Sequence, residues 1–445
     1  MSISEDSNPL FAGMSRTDIT PVEDTFIVPK GGCALRLPDG TPGEKTVSKK
    51  VLDPVEARVL VLKSSETSLA IVTVDVVLFS SEKVIAEAKE KWGVKHVILS
   101  CTHTHSSMVP RGMCPSPEGW GAWEGLTDDL AIALKWPTFS EDPWYAATED
   151  KIIAAIGEAM GNLFPARIAG GKEHFTSKYM AHNRRLVKAD GSVTMMWDNP
   201  DRLPTAPIDP SIGVIKVIDG SGEARALLVH YACHPVGLMD CPVISRDFPG
   251  AMCDYVESEL GEQCMAMFLQ GAMGDMDPYD MRFVDEAGFN LMRQAGISLG
   301  QGALKVAENL KPRPGKKTEA IEIREDHVTV PFRDHDKTLI FSMLSILIND
   351  SFAMLNIAGE PFIQHQLDLT DLSPVPMTLL LGTAYSGSGT PHGGYIPTVL
   401  AAKEGGYGVT NSFVAVETGS ILVRQAVATL KELIHSRREP AANQP

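Results

Sequence analysis

Apolar runs of strand length recur along the chain, and polar turns separate them. Residues 55–63 and 68–78 predict paired strands around Ala57-Arg58-Val59-Leu60-Val61-Leu62 and Leu69-Ala70-Ile71-Val72-Thr73-Val74, because short apolar, β-branched runs bounded by turns suit strands. Ser81 to Trp92 carries Val84, Ile85 and Ala88 at helical spacing, and His96-Val97-Ile98-Leu99 follows as a further strand. Strand, helix, strand predicts a right-handed crossover and a parallel pair. Further helices are predicted over 149–163, 248–260, 287–310 and 420–437. Strands are predicted at Ala226–Val229, Met265–Gln270, Phe352–Ile357 and Thr378–Leu381, with strands and loops over 168–218. The pattern predicts an α/β fold of mixed β-sheets flanked by α-helices.

Four of these runs end in residues able to bind a metal. The strand at His96 runs into Ser100-Cys101-Thr102-His103-Thr104-His105. Residues two apart on a strand share a face, so His103 and His105 are predicted to enter one pocket. Ala226-Leu227-Leu228-Val229 runs into His230 and His234, again predicted on one strand face. Phe352–Ile357 runs into Glu360, and Thr378–Leu381 into a Gly/Ser loop ending at Tyr395. Strand ends are where α/β folds build their sites. His103, His234 and Glu360 could give zinc two nitrogens and one oxygen, leaving a position for water. A lone histidine is more often an ordinary hydrogen-bonded residue than a ligand, and spacing alone leaves both readings open. Cys101 and Cys233 read as small core residues rather than ligands.

Composition narrows the classes. The 445 residues are 44% hydrophobic and 22% charged, which is usual for a folded protein. A net charge of −16 argues against nucleic acid and anionic membrane surfaces as partners. No run approaches the roughly 20 apolar residues of a membrane helix. The polar, acidic start, Met1-Ser2-Ile3-Ser4-Glu5-Asp6, lacks the pattern of a signal peptide. Seven cysteines without CxxC spacing read as reduced thiols, and a cytoplasmic location is expected. The expected organisation is a tail at 1–10, one catalytic unit over 11–437 with an internal linker at 311–317, and a tail at 438–445. Residues 106–146 are rich in Pro and Gly and hold four of the six tryptophans, among them Trp120 and Trp123. A long connection beside a site is often a lid or binding loop. The alternatives are a packed surface loop and an interface between copies of the chain.

Several motifs, in order, resemble those of the neutral/alkaline, non-lysosomal ceramidase family. Ala12-Gly13-Met14-Ser15-Arg16-Thr17-Asp18-Ile19-Thr20-Pro21 resembles its N-terminal segment, and Thr102-His103-Thr104-His105-Ser106 its THTHS motif. Ala232-Cys233-His234 is similar to its second histidine segment. Gly359-Glu360 is similar to its PGE motif, with Ala358 for Pro. Tyr395-Ile396-Pro397-Thr398 resembles its tyrosine loop, with Tyr407 at the spacing of a second tyrosine. The resemblance implies a zinc amidohydrolase with ligands His103, His234, Glu360 and Tyr395. It implies that His105 and Tyr407 contact the scissile carbonyl and that Arg184 lies near the site. His230 matches no family ligand and is expected in a supporting or core role. Two departures stand out. Gly274-Asp275-Met276-Asp277-Pro278 carries Asp277 where the family's GDVSP motif has serine, and the family's C-terminal β-domain is not found.

The expected function is therefore zinc-dependent hydrolysis of an amide (N-acyl) bond in a small acyl-bearing substrate. Trp120, Trp123 and Asp277 are the expected substrate contacts. The alternatives are an esterase or lactonase, a ceramidase proper, and a metalloprotein that only binds a ligand. His105 and Tyr407 beside the metal set favour an enzyme, because binding alone needs no group at the carbonyl.

Overall fold

The apolar runs assemble into two stacked sheets in the computed structural model. It describes residues 9–21, 50–107, 143–239, 241, 243–281, 285–312, 321–333, 336, 338–387 and 393–438. The larger sheet has nine strands. Their order is Met265–Gln270, Ala224–Tyr231, Ser211–Asp219, Phe164–His174, Phe11–Asp18, Glu56–Lys63, Ser68–Val74, His96–Cys101 and Ala384–Tyr385. Ser68–Val74 pairs with His96–Cys101 in parallel across the helix Glu82–Trp92, as the sequence predicts. Ala224–Tyr231 and Met265–Gln270 form the other parallel pair, so the sheet is mixed. The smaller sheet orders Ile321–Pro331, Thr338–Ile348, Phe352–Asn356 and Met377–Leu381.

The period of two along each strand explains the layering. Val59, Val61, Val72 and Leu99 face one way and join Ile152, Ile156, Met252, Val256, Leu299 and Ala303 of the helices Pro143–Gly161, Asp247–Leu260 and Glu286–Asn309. Leu60, Leu62, Ile71 and Ile98 face the other way and meet Leu344, Ile346, Phe352 and Met354 of the smaller sheet. Leu347 and Ala353, on the opposite face of that sheet, pack on Leu430 of the helix Thr418–Arg438. The result is a helix–sheet–sheet–helix sandwich. Central strands are buried on both faces, which is why they read as continuous apolar runs. Gly170 permits the close approach of the sheets, since a Cβ there would lie 2.8 Å from the Phe352 ring.

Local signals set the helix ends. The Ser81 hydroxyl accepts from the Val84 N–H and the Asp285 carboxylate from the Gly288 N–H. Gly93, at φ +69°, ends the first helix in the left-handed conformation. Several elements were not anticipated, the strand Thr338–Ile348 and the helix Ile363–Leu372 among them. Phe11–Asp18 is a central strand despite its sparse apolar pattern. Ile321–Pro331 forms a long hairpin with Thr338–Ile348, although its alternation is mostly polar. Among the described residues no helix is long and apolar enough to cross a membrane. Of the expected linker, residues 313–317 lie outside the described residues.

Candidate metal centre

The strand His96–Cys101 stops before the histidines rather than carrying them. His103 adopts φ +67°, in the left-handed region. A non-glycine residue there costs about 1–2 kcal/mol, and the surroundings hold it. Its backbone N–H donates to Val76 O at 3.0 Å and its Nδ1 to Val77 O at 2.7 Å. A carbonyl only accepts, so the proton sits on Nδ1 and Nε2 presents a lone pair. The expectation of a shared strand face is thus corrected. The turned backbone, not the pleat, brings the His103 and His105 rings together, edge to face with centroids 4.8 Å apart. The His105 N–H donates to Pro235 O at 3.1 Å, tying this turn to the loop after Ala224–Tyr231.

That loop carries His234, whose Nδ1 donates to Met276 O at 3.0 Å. Its ring lies 5.1 Å from His103 and 5.8 Å from His105 between centroids. Glu360 arrives on the short strand Glu360–Pro361, which pairs in parallel with Tyr395–Ile396 and sets Glu360 beside Tyr395. Gly274 holds this strand close: its N–H donates to Pro361 O at 2.9 Å, and a Cβ there would lie 2.3 Å from the Glu360 carbonyl oxygen. Glu360 Oε2 then stands 3.2 Å from His234 Nε2 and 3.7 Å from His103 Nε2.

The donors of His103, His105 and His234 all lie within 4.8 Å of one another, a buried group that could hold a metal ion. His103 Nε2 and both ring nitrogens of His105 have no hydrogen-bond partner among the described residues. Buried polar atoms are normally paired, so these orphaned lone pairs fit a cation. Burial, then the neighbouring His103 and His234, pushes His105 well below the ordinary histidine range. Burial, then Arg184, pushes His234 down. Neutral imidazole is the ligating form.

A second layer stands behind the donors. Arg184 Nη1 lies 3.2 Å from Asp277 Oδ1, and Nη2 donates to Gly274 O at 2.8 Å. The guanidinium carbon sits 5.2, 5.4 and 5.7 Å from the ring centres of Trp197, Tyr395 and Tyr407, within cation–π range. Burial works against its charge, but Asp277 and Tyr395 outweigh that and raise its pKa. Burial and then Glu360 raise the Tyr395 hydroxyl, against the effect of Arg184. The Tyr395 ring is 6.5 Å from His234 and 5.6 Å from Tyr407.

The structure thus brings His103, His105, Arg184, His234, Asp277, Glu360, Tyr395 and Tyr407 to one place. Trp120 and Trp123 lie outside the described residues. Trp197 was missed by the sequence reading. It is an isolated tryptophan without periodic context, and it reaches the site because the Met196 N–H pairs with Arg184 O.

His230 does not share the site, which corrects the expectation of a common face with His234. The strand ends at Tyr231, and His234 lies in the loop beyond it. His230 remains on the strand with Nε2 2.8 Å from Leu380 O, between the two sheets. Burial lowers its pKa from 6.5 to about 4. In the unfolded chain it protonates near 6.5, so its contribution to stability is complete above that pH. That contribution is lost as pH falls from 6.5 towards 4, by roughly 3 kcal/mol in all. Urea midpoints should therefore drop over this window, and less so in His230→Gln. Equal pH profiles for the two proteins would refute this.

No protein-family model matches the chain, and no curated protein matches it by sequence. Solved structures do. Neutral ceramidase from Pseudomonas aeruginosa superposes with a TM-score of 0.70 at 15% identity, covering 98% of this chain and 76% of that one. A ceramidase complexed with C2 gives the same score and identity, covering 98% and 77%. The resemblance first carried by short motifs is therefore one of architecture, and the chain is built on the neutral ceramidase fold.

Proposed function

We propose that this protein is a zinc-dependent hydrolase cleaving an amide (N-acyl) bond of a small organic substrate. The observation that supports it most is the buried convergence of His103, His105 and His234 with Glu360, in which several imidazole nitrogens lack a hydrogen-bond partner among the described residues. His103, His234, Glu360 and Tyr395 would hold the ion. Zinc would supply Lewis acidity and a water of lowered pKa.

The chain's own residues supply the rest. His103 and His234 are held by carbonyls at Nδ1, so their Nε2 lone pairs are oriented before substrate arrives. His105, neutral and in edge contact with His103, is assigned the attacked carbonyl, where its N–H can donate to developing negative charge. Tyr407 is assigned a second contact to that carbonyl. Arg184 sets the positions of both tyrosines through its aromatic contacts. Trp120 and Trp123 are assigned to the substrate. Both structural neighbours are ceramidases, so an N-acyl bond is the first bond class to test.

The test is metal analysis of the purified protein with a panel of N-acyl and ester substrates, with and without chelator. One zinc per chain and amide turnover that chelation abolishes and zinc restores are expected. Turnover indifferent to chelation would end the proposal, and ester turnover without amide turnover would move it to an esterase.

A further inference from the structure

Asp277 is fully buried, on the short strand Met276–Asp277 that pairs with His182–Asn183. This pairing places it next to Arg184 in one direction and His234 in the other. Oδ1 stands 3.2 Å from Arg184 Nη1 and Oδ2 3.5 Å from the same nitrogen. Oδ1 is also 3.5 Å from His234 Nδ1. The carboxylate therefore lies along the Nδ1 edge of His234, whereas Nε2 is the nitrogen near Glu360. Its neighbour Asp275 has a separate structural task, accepting from Asn183 Nδ2 and from the Ile363 N–H that opens the helix Ile363–Leu372.

We infer that Asp277 is a positioning residue for His234 and Arg184, and that it is not a contact for substrate. The inference rests on the metal-hydrolase reading above. The Met276 carbonyl takes the His234 Nδ1 proton. The adjacent anion polarises that N–H and strengthens Nε2 as a donor, as carboxylates behind metal-bound histidines do. The same anion holds the guanidinium of Arg184, which lies 5.4 Å from the ring centre of Tyr395. One buried carboxylate thereby orients two of the proposed ligands from behind. This replaces the expectation that Asp277 binds substrate: it is enclosed, and its oxygens already face Arg184 and His234.

The test is a zinc titration against a chromophoric chelator on four proteins: wild type, Asp277→Asn, Arg184→Gln and the double variant. Thermal melting is followed in parallel. Asp277→Asn should bind zinc about 10–100-fold more weakly. It should do so in the Arg184→Gln background as well, where no guanidinium is left unpaired. With zinc saturating, Asp277→Asn should lower kcat and leave KM in place. The inference is overturned if the loss of zinc affinity vanishes in the Arg184→Gln background, which would make Asp277 an ion-pair partner alone. It is equally overturned if KM rises while zinc affinity and kcat hold, which would make it a substrate contact. A wild-type chain that takes up no zinc overturns the parent reading as well. A zinc-binding wild type matched in affinity by Asp277→Asn overturns this inference alone.

Discussion

Alanine at His234 should leave a folded chain that retains no zinc and turns over no substrate. His234 is the hub of the cluster. Its ring neighbours His103 and His105, its Nε2 lies 3.2 Å from Glu360, and its Nδ1 is held by Met276 O. Truncation removes one donor directly, and it leaves Glu360 without the imidazole that faces it. The loss in zinc affinity should exceed the roughly 10–100-fold seen when only an outer partner is removed. Metal content after dialysis in a zinc buffer, with circular dichroism as the check on folding, measures it. A folded His234→Ala protein with a full equivalent of zinc would remove His234 from the ligand set.

His105→Ala should separate metal binding from chemistry. Both ring nitrogens of His105 lack a hydrogen-bond partner among the described residues, and burial keeps the ring neutral. It therefore offers one N–H donor and one lone pair. Two arrangements use such a ring. As a third histidine ligand it would join His103 and His234, since all three donors lie within 4.8 Å. As the partner of the substrate carbonyl it would leave the metal to His103, His234, Glu360 and Tyr395. The second arrangement is proposed here, and it predicts full zinc occupancy in His105→Ala with kcat reduced about 10²–10³-fold. Loss of zinc in step with His234→Ala would establish the three-histidine set instead.

The sequence by itself determined many of the strands and helices that line the core. Runs such as Val59–Leu62 and Val97–Leu99 bury alternate residues against different layers, and helical spacing marked Glu82–Trp92 and Asp247–Leu260. These patterns are local, because they depend only on which face each residue presents. The same reading picked out the residue types of the site in their order along the chain.

Only the tertiary structure decided how those residues meet. His103 lies in a left-handed turn that no period of two encodes. His230 and His234 part company because the strand ends between them. Glu360 reaches His234 across 126 positions through the pairing of two-residue strands too short to carry a pattern. Trp197 meets Arg184 at the open end of the short hairpin Arg185–Val187/Val193–Met195, and Asp277 turns to the rear of His234. The physical reason is common to all of these. Hydrophobic periodicity specifies burial, whereas the direction of a polar side chain is set by whichever distant carbonyl, carboxylate or guanidinium the fold places within about 3 Å of it.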